Sequence, residues 1–383
     1  MWYNLQYMKL TAQIKLQPTP EQADALVRTL TAANAACDYI SAMAWDTRTF
    51  GKFALQKLCY AQVRTQFSLS AQMTVRALAK VGDAYKLDTQ TRRVFRPLAS
   101  IAYDDRILSF ALHRSTVSIW TLAGRHTIPF VCGDRQRDML RTRQGESDLL
   151  VHRGDWYLLV TCEIEELAPQ EVDDVLGIDL GVTNIATDSD GNVYSSRTVN
   201  SVRYRHRRLR TKLQKKGTKA AKRRLKQLAG QERRFATDVN HVISRQVVER
   251  AKPGTLWVKR GIALEDLTHI RTRIRARRSQ RAQLHAWSFA QFRSFVGYKA
   301  QRAGLPVVWV DPRNTSRRCP ACGYTDKANR KTQAHFVCVS CGLAGLADTI
   351  AAENIRVLGR ATVMQPYVSE AAGPSRQGQA QDL

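Results

Sequence analysis

The 383 residues contain no run of about 18 consecutive apolar side chains, the length that a bilayer-spanning helix needs, and this excludes a helical membrane span. Neither terminus is a basic amphipathic stretch of the kind that lies on a membrane surface. The leading MWYNLQYMKL lacks the long apolar core of a secretory signal, so a cytoplasmic, nucleoid-associated protein is expected. No internal repeat is visible, which argues against solenoid and propeller architectures. Acidic residues are scarce as well: 33 Asp and Glu stand against 60 Lys and Arg, for a net charge of +27. Such an excess fits a polyanionic partner, nucleic acid first among them. The hydrophobic fraction of 44% is ordinary, and the length allows two or three domains with a sizeable core.

Cysteine is used in two ways. Cys37, Cys59, Cys132 and Cys162 are scattered among apolar neighbours and read as buried thiols of a reducing compartment. The other four form a pattern, with Cys319 and Cys322 in RRCPACG, Cys338 and Cys341 in FVCVSCG, and 15 residues between the two knuckles. That spacing suits a four-thiolate zinc ribbon, because each CxxC knuckle can turn two thiolates onto one ion. Four protein ligands leave no open position, so this zinc is expected to be structural. Disulfides are the alternative reading, and the missing secretory signal weighs against them.

Along the first half, Leu10, Ala12, Ile14 and Leu16 alternate with polar residues as a half-exposed strand does. Thr19 then caps a helix, with Pro20 at its first position and Glu21 just inside, expected to reach about Trp45. A second helical stretch is expected from Phe53 to Tyr85. From Ser100 to Glu166, short apolar runs (STVSIWTLAG, HTIPFV, DWYLLVTCEIE) parted by polar turns predict a small β-domain that the first strand rejoins. Residues 167–174 form an acidic linker.

The second half differs. VLGIDLGVTNIATDSDG, residues 175–191, predicts a hairpin and a third strand after the Asp190-Gly191 turn, with one carboxylate, Asp179, inside an apolar strand. From Arg203 to Arg234, 15 Lys or Arg meet a single Glu. A solvated charged face is one reading of a basic run. At this density self-repulsion disfavours a compact helix pair unless an anion neutralises it, so a phosphate-tracking pair is favoured. The cations expected to meet nucleic acid are Arg203, Arg207, Arg208, Arg210, Lys212, Lys215, Lys216, Lys222, Arg223, Arg224 and Lys226. A second basic segment adds Arg271, Arg273, Arg275, Arg277 and Arg278. Leu209, Leu213, Leu225 and Leu228 leave the pair a narrow apolar seam, and Phe235, Val239, Val242, Ile243 and Val247 form a core stripe. TLWVKRGIALEDL, residues 255–267, predicts a strand ending in Glu265, followed by an aromatic helix around Trp287, Phe289, Phe292 and Phe295. LPVVWVDP is a further buried strand, and GLADTIAAENIRVLGR places Asp348 at a helix start. The final residues, 365–383, have the composition of a disordered tail.

Asp179, Glu265 and Asp348 each admit a plain reading: a pair with a basic side chain, a solvated strand end, an N-cap. Together they are three carboxylates on a first strand, a later strand and a last helix, the arrangement of an RNase H-like nuclease. Converging carboxylates repel one another and raise their pKa values, and divalent cations reverse this. Hard oxygen ligands favour Mg²⁺ or Mn²⁺, and two such ions about 3.5 to 4 Å apart can align water, phosphodiester and leaving oxygen.

GIDLGVTNIA, ALEDL, the CPACG and CVSCG knuckles and ADTIAAENI, in that order within residues 175–358, resemble the RuvC-I, RuvC-II, zinc-ribbon and RuvC-III segments of TnpB, the transposon-encoded relative of type V CRISPR effectors. The resemblance implies a multidomain protein of α/β and α+β parts. These are a β wedge domain (1–17 and 96–170), an inserted helical recognition domain (18–95), an RNase H-like RuvC nuclease domain (171–317 and 343–364) with a basic helical insert (198–250), and a zinc ribbon (318–342). It implies an RNA-guided DNA endonuclease, a hydrolase in which Asp179, Glu265 and Asp348 hold two Mg²⁺ ions (or Mn²⁺) and Cys319, Cys322, Cys338 and Cys341 hold one structural Zn²⁺. The expected partners are a guide RNA derived from the transposon end, one protein to each RNA, and double-stranded target DNA cut beside a short transposon-adjacent motif. Two other functions stay open at this stage: a nonenzymatic RNA-guided repressor or transposition regulator, and a guide-free RNase H-like nuclease. GLAGLADT departs from the family pattern in being apolar up to Asp348, which leaves the triad but offers no fourth auxiliary ligand.

Overall fold

Ala12, Ile14 and Leu16 are buried while Thr11 and Gln13, which alternate with them, are exposed and Lys15 is half-buried, so the alternation read in the sequence is that of β1 (Tyr7–Leu16). The computed structural model describes residues 7–252, 260–268 and 289–364. Arg271, Arg273, Arg275, Arg277, Arg278, Trp287, the beginning of the strand expected at 255–267 and the tail at 365–383 lie outside the described residues. The chain divides into two units, Met1–Glu165 and Glu166–Leu383. Among the described residues no helix is long and apolar enough to cross a membrane.

In the first unit β1 lies between β5 (Gly124–Val131) and β7 (Asp155–Glu165), antiparallel to both. With β2 (Ile101–Tyr103), β3 (Leu108–Ala111), β4 (Thr116–Thr121) and β6 (Arg143–His152) the seven-stranded order is β2-β6-β7-β1-β5-β4-β3. Between β1 and β2 come α1 (Pro20–Thr47), α2 (Lys52–Gln66) and α3 (Ala71–Leu87), and α4 (Asp134–Leu140) follows β5. A reciprocal cap starts α1: the Gln22 amide N–H donates to Thr19 Oγ1 at 3.3 Å, and Gln22 Oε1 accepts from the Thr19 amide at 3.1 Å. The single helix expected over 53–85 is two helices. Ser68 takes the left-handed conformation at φ 52°, and Ser70 begins a new helix by accepting the Met73 amide at 3.3 Å. Cys37, Cys59 and Cys162 are buried free thiols as expected, and Cys132 is only half-buried. Burial pushes the Cys37 thiol up to about 12.

The second unit is built on a mixed sheet of β8 (Asp174–Asp179), β9 (Asn184–Asp188), β10 (Val193–Ser195), β11 (Arg260–Glu265) and β12 (Val307–Val310) in the order β10-β9-β8-β11-β12. The first three strands pair antiparallel, and β8-β11-β12 run parallel. Two basic helices, α5 (Arg197–Lys216) and α6 (Lys219–Ala251), join the hairpin to β11, and α7 (Phe289–Arg302) precedes β12. A small hairpin of β13 (His335–Val337) and β14 (Ala344–Leu346) leads into α8 (Ala347–Val363). Period-two alternation divides the sheet. Leu176, Ile178, Ile262 and Leu264 share a core with Ile243, Val247, Phe292 and Val296, whereas Val175, Ala263 and Val310 pack with Ile355 of α8. Of the stripe expected along α6, Ile243 and Val247 are buried and Phe235 and Val239 partly so, but Val242 is 51% exposed. It lies one residue off the sheet-facing line.

Candidate catalytic and metal centres

The alternation that buries Val175 and Ala263 on the α8 side of the sheet sends Asp179 and Glu265 to the same side, because each is an even number of residues further along its strand. Asp348 lies in the first turn of α8, on the helical face that Ala351, Ala352 and Ile355 bury. The N-cap is Leu346, so Asp348 does not serve as one. Glu265 is 7% exposed and therefore no solvated strand end.

Asp179 senses both of the other acids. Burial, then the Glu265 and Asp348 charges, raise the Asp179 carboxyl to about 8, against the partial compensation of Arg330 and the Leu180 backbone amide. Burial raises Glu265 too, opposed by a hydrogen bond from Thr315 and by Arg330. Thr315 Oγ1 donates to Glu265 Oε1 at 2.6 Å, Asn184 Nδ2 donates to Asp348 Oδ2 at 3.0 Å, and the Arg330 guanidinium reaches Asp348 Oδ1 at 3.2 Å. Sequence reasoning missed Thr315, Asn184 and Arg330. Thr315 is 50 positions from Glu265 and Asn184 is 164 from Asp348, so sheet order and not local pattern joins them. One arginine against three carboxylates leaves a surplus of negative charge and of hard oxygen donors, which fits a divalent cation.

The four ribbon cysteines converge, with their sulfurs within 4.8 Å of one another. Cys319 and Cys341 Sγ are 3.6 Å apart, as are Cys322 and Cys338 Sγ. These separations are far beyond a disulfide bond of about 2.05 Å, and close to the roughly 3.8 Å edge of a tetrahedron with Zn–S of about 2.3 Å. Both knuckles close on a glycine with positive φ, Gly323 at 74° and Gly342 at 76°, whose amides return to the Cys319 and Cys338 carbonyls at 2.9 and 3.0 Å. The Cys341 amide points at Cys338 Sγ at 3.5 Å and favours its thiolate, lowering it to about 6. Purified protein is expected to carry about one zinc per chain by elemental mass spectrometry, and Cys338→Ser to lose it. Undiminished zinc in that variant would place the ion elsewhere.

The basic hairpin separates its cations by role. Arg207, Arg208, Lys212, Lys215, Lys216, Lys222, Arg223, Arg224 and Lys226 are exposed along α5 and α6. Arg210 instead pairs with the half-buried Glu232 at 2.7 Å, and burial lowers the pKa of half-buried Arg203. Leu228 is buried in the seam, and Leu209, Leu213 and Leu225 are partly so.

A family model described as "Cas12f1-like, TNB domain" matches residues 289–355, and one described as "Probable transposase" matches residues 159–254. The CRISPR-associated endodeoxyribonuclease Cas12f1 of Sulfoacidibacillus thermotolerans is 38% identical over 136 residues, a match that covers 35% of this chain and only 29% of that relative. A TnpB-like protein of Methanocaldococcus jannaschii is 31% identical over 201 residues, 49% of this chain and 69% of that protein. A solved complex of Cas12f1 with sgRNA and target DNA aligns over 91% of this chain and 99% of its own with a TM-score of 0.60 at 13% identity, showing a shared mixed α/β multidomain fold. By its sequence, this chain belongs to the TnpB family.

Proposed function

We propose that the chain is an RNA-guided DNA endonuclease that cuts double-stranded DNA beside a short transposon-adjacent motif, using one RuvC-type site made of Asp179, Glu265 and Asp348. The observation that carries this reading is the convergence of three carboxylates from two parallel strands and a helix start, with Asp179 held near 8 by burial and by its two acidic neighbours. The sheet order β10-β9-β8-β11-β12, with α8 packed on one face, supports the RNase H-like assignment. In this reading the seven-stranded sheet and its helical insertion correspond to the wedge and recognition regions.

Asp179, Glu265 and Asp348 would hold Mg²⁺ or Mn²⁺, which when bound supplies a water of lowered pKa and neutralises charge on the scissile phosphate. The chain's own groups do the positioning. Thr315 fixes Glu265, Asn184 fixes one oxygen of Asp348, and Arg330 engages the other. The Arg330 side chain is 19% exposed, so its guanidinium is placed to offer N–H donors to a phosphate oxygen entering the centre. The exposed cations of α5 and α6 track the backbone of guide RNA or heteroduplex, whose sequence they do not read. Retention of all three acids favours the nuclease over a repressor.

Expression with the native flanking DNA, purification and sequencing of the bound RNA tests guidance. One abundant RNA is expected, ending in a variable stretch that matches neighbouring DNA. Heterogeneous RNA, or none, would leave a guide-free nuclease, to be assayed on structured DNA with Mg²⁺ alone.

A further inference from the structure

We infer that Thr315 is a positioning residue for Glu265 and that the zinc ribbon holds it in place through Asn354, so that the state of the ribbon sets metal binding at the carboxylates. The inference rests on the acid centre proposed above and adds a dependence which that proposal does not require.

The geometry is continuous. Thr315 is 3% exposed and its hydroxyl reaches Glu265 Oε1 at 2.6 Å, the length of a charge-assisted O–H···O⁻ bond. The carbonyl of Pro312 is the other acceptor within reach, at 3.1 Å, and the single hydroxyl proton favours the shorter, anionic one. Holding one oxygen orients the carboxylate plane and so directs the second oxygen. Thr315 is itself held from behind. Asn354 of α8 is 2% exposed, and its Nδ2 donates to the carbonyl of Thr315 at 2.8 Å and to that of Arg318 at 2.7 Å. Both protons of that amide are therefore used to clasp the turn between Thr315 and the first zinc cysteine.

Inside the ribbon the clasp continues. Asn329 is fully buried, donates Nδ2 to the carbonyls of Arg317 at 2.9 Å and Tyr324 at 3.1 Å, and accepts the Val339 amide at 2.9 Å. It thereby ties the Cys319 knuckle to the Cys338 knuckle. The next residue, Arg330, is the one that reaches Asp348. Two of the three carboxylates thus receive a hydrogen bond from a residue whose backbone belongs to or adjoins the ribbon. Asparagine is a mediocre helix former at a buried position among Ala351, Ala352 and Ile355, where alanine or leucine would serve α8 better. The clasp explains its presence.

The test uses the full chain without nucleic acid and reads Mn²⁺ binding by electron paramagnetic resonance, with zinc content measured alongside. Asp179→Asn is the reference for the acid centre: wild-type protein is expected to bind Mn²⁺ at a site that this variant loses. Thr315→Val keeps shape and removes the hydroxyl. It is expected to keep its zinc and bind Mn²⁺ about 10-fold more weakly, as loss of a hydrogen bond to a metal ligand typically does, whereas Thr315→Ser should return to within about twofold of wild type. Cys322→Ser, which takes away an exposed zinc ligand, is expected to weaken Mn²⁺ binding. Wild-type Mn²⁺ affinity in Thr315→Val, or in a zinc-free Cys322→Ser protein, overturns the inference and leaves the acid centre standing. Absence of any Mn²⁺ site sensitive to Asp179 overturns the acid centre itself.

Discussion

Asp179→Asn is expected to lower DNA cleavage by about 10³-fold or more while raising the thermal stability of the metal-free protein near pH 8. On the proposed function, the first effect follows from removing one charged ligand of a site whose bound metal would contribute several kcal/mol to the transition state, each factor of ten being about 1.4 kcal/mol. The second follows from linkage. The folded-state carboxyl sits at about 8 against an ordinary 3.8, so between those values the folded chain holds a proton that the unfolded chain has released. Stability is unaffected below the lower value and falls as pH rises through the window, at most by about 1.4 kcal/mol per pH unit. Glu265, also raised, adds a loss of the same sign. Asparagine carries no charge to disfavour, so the variant should melt like wild type near pH 4 and above it near pH 8. Added Mg²⁺ should stabilise wild type by binding the folded state alone, and leave the variant largely unmoved. A metal-free variant that is less stable than wild type at pH 8 would mean that Asp179 is satisfied by Arg330 and has no need of a cation.

How much of this centre the sequence disclosed depends on the range of the interactions. The knuckle spacing is local, and so are the alternation in β1 and the Thr19 cap; each was legible because a few adjacent positions carry the whole signal. Asp179 was conspicuous because a lone carboxylate in VLGIDLG contradicts its surroundings. The break between α2 and α3 hides in FSLS, where serine can either continue a helix or cap the next one, and only the left-handed Ser68 decides. Thr315, Asn184 and Arg330 left no such trace. They are ordinary polar residues in loops and strand ends, and what makes them matter is the parallel pairing of β8 with β11 and the seating of α8. Asn354 alone carried a usable sign, a polar residue on the apolar side of an otherwise good helix. Val242 shows the opposite error, since an apolar residue beside a helical stripe is read as core when only the stripe is buried.

Gly177→Ala is expected to destabilise the second unit by about 3 kcal/mol, at the upper end of the ordinary range for overpacking, and to lower its melting temperature by roughly 10 °C. Gly177 lies on β8 two residues before Asp179, facing α8, and a β-carbon there would overlap the Ala352 carbonyl and press on the Arg356 amide. Both obstacles are backbone, so no side chain can rotate away and the helix itself must move. Gly359 of α8 makes a matching close approach to Ala263 of β11, which fixes the helix at a second point. Arg356 ties the same helix to the same strand through Asp174, at 2.7 Å from Nη2 to Oδ2. The helix that carries Asp348 therefore sits on the strands that carry Asp179 and Glu265 at a separation set by two absent side chains. Displacing it should weaken Mn²⁺ binding as well as stability, an effect that destabilisation elsewhere in the unit would not produce. Gly297 supplies the contrast. It lies within α7 with nothing near its would-be β-carbon, so Gly297→Ala should stabilise by up to about 1 kcal/mol through helix propensity and leave Mn²⁺ binding alone. If Gly177→Ala melts at the wild-type temperature with unchanged Mn²⁺ affinity, α8 does not rest on β8 as described, and the convergence of the three acids must be drawn differently.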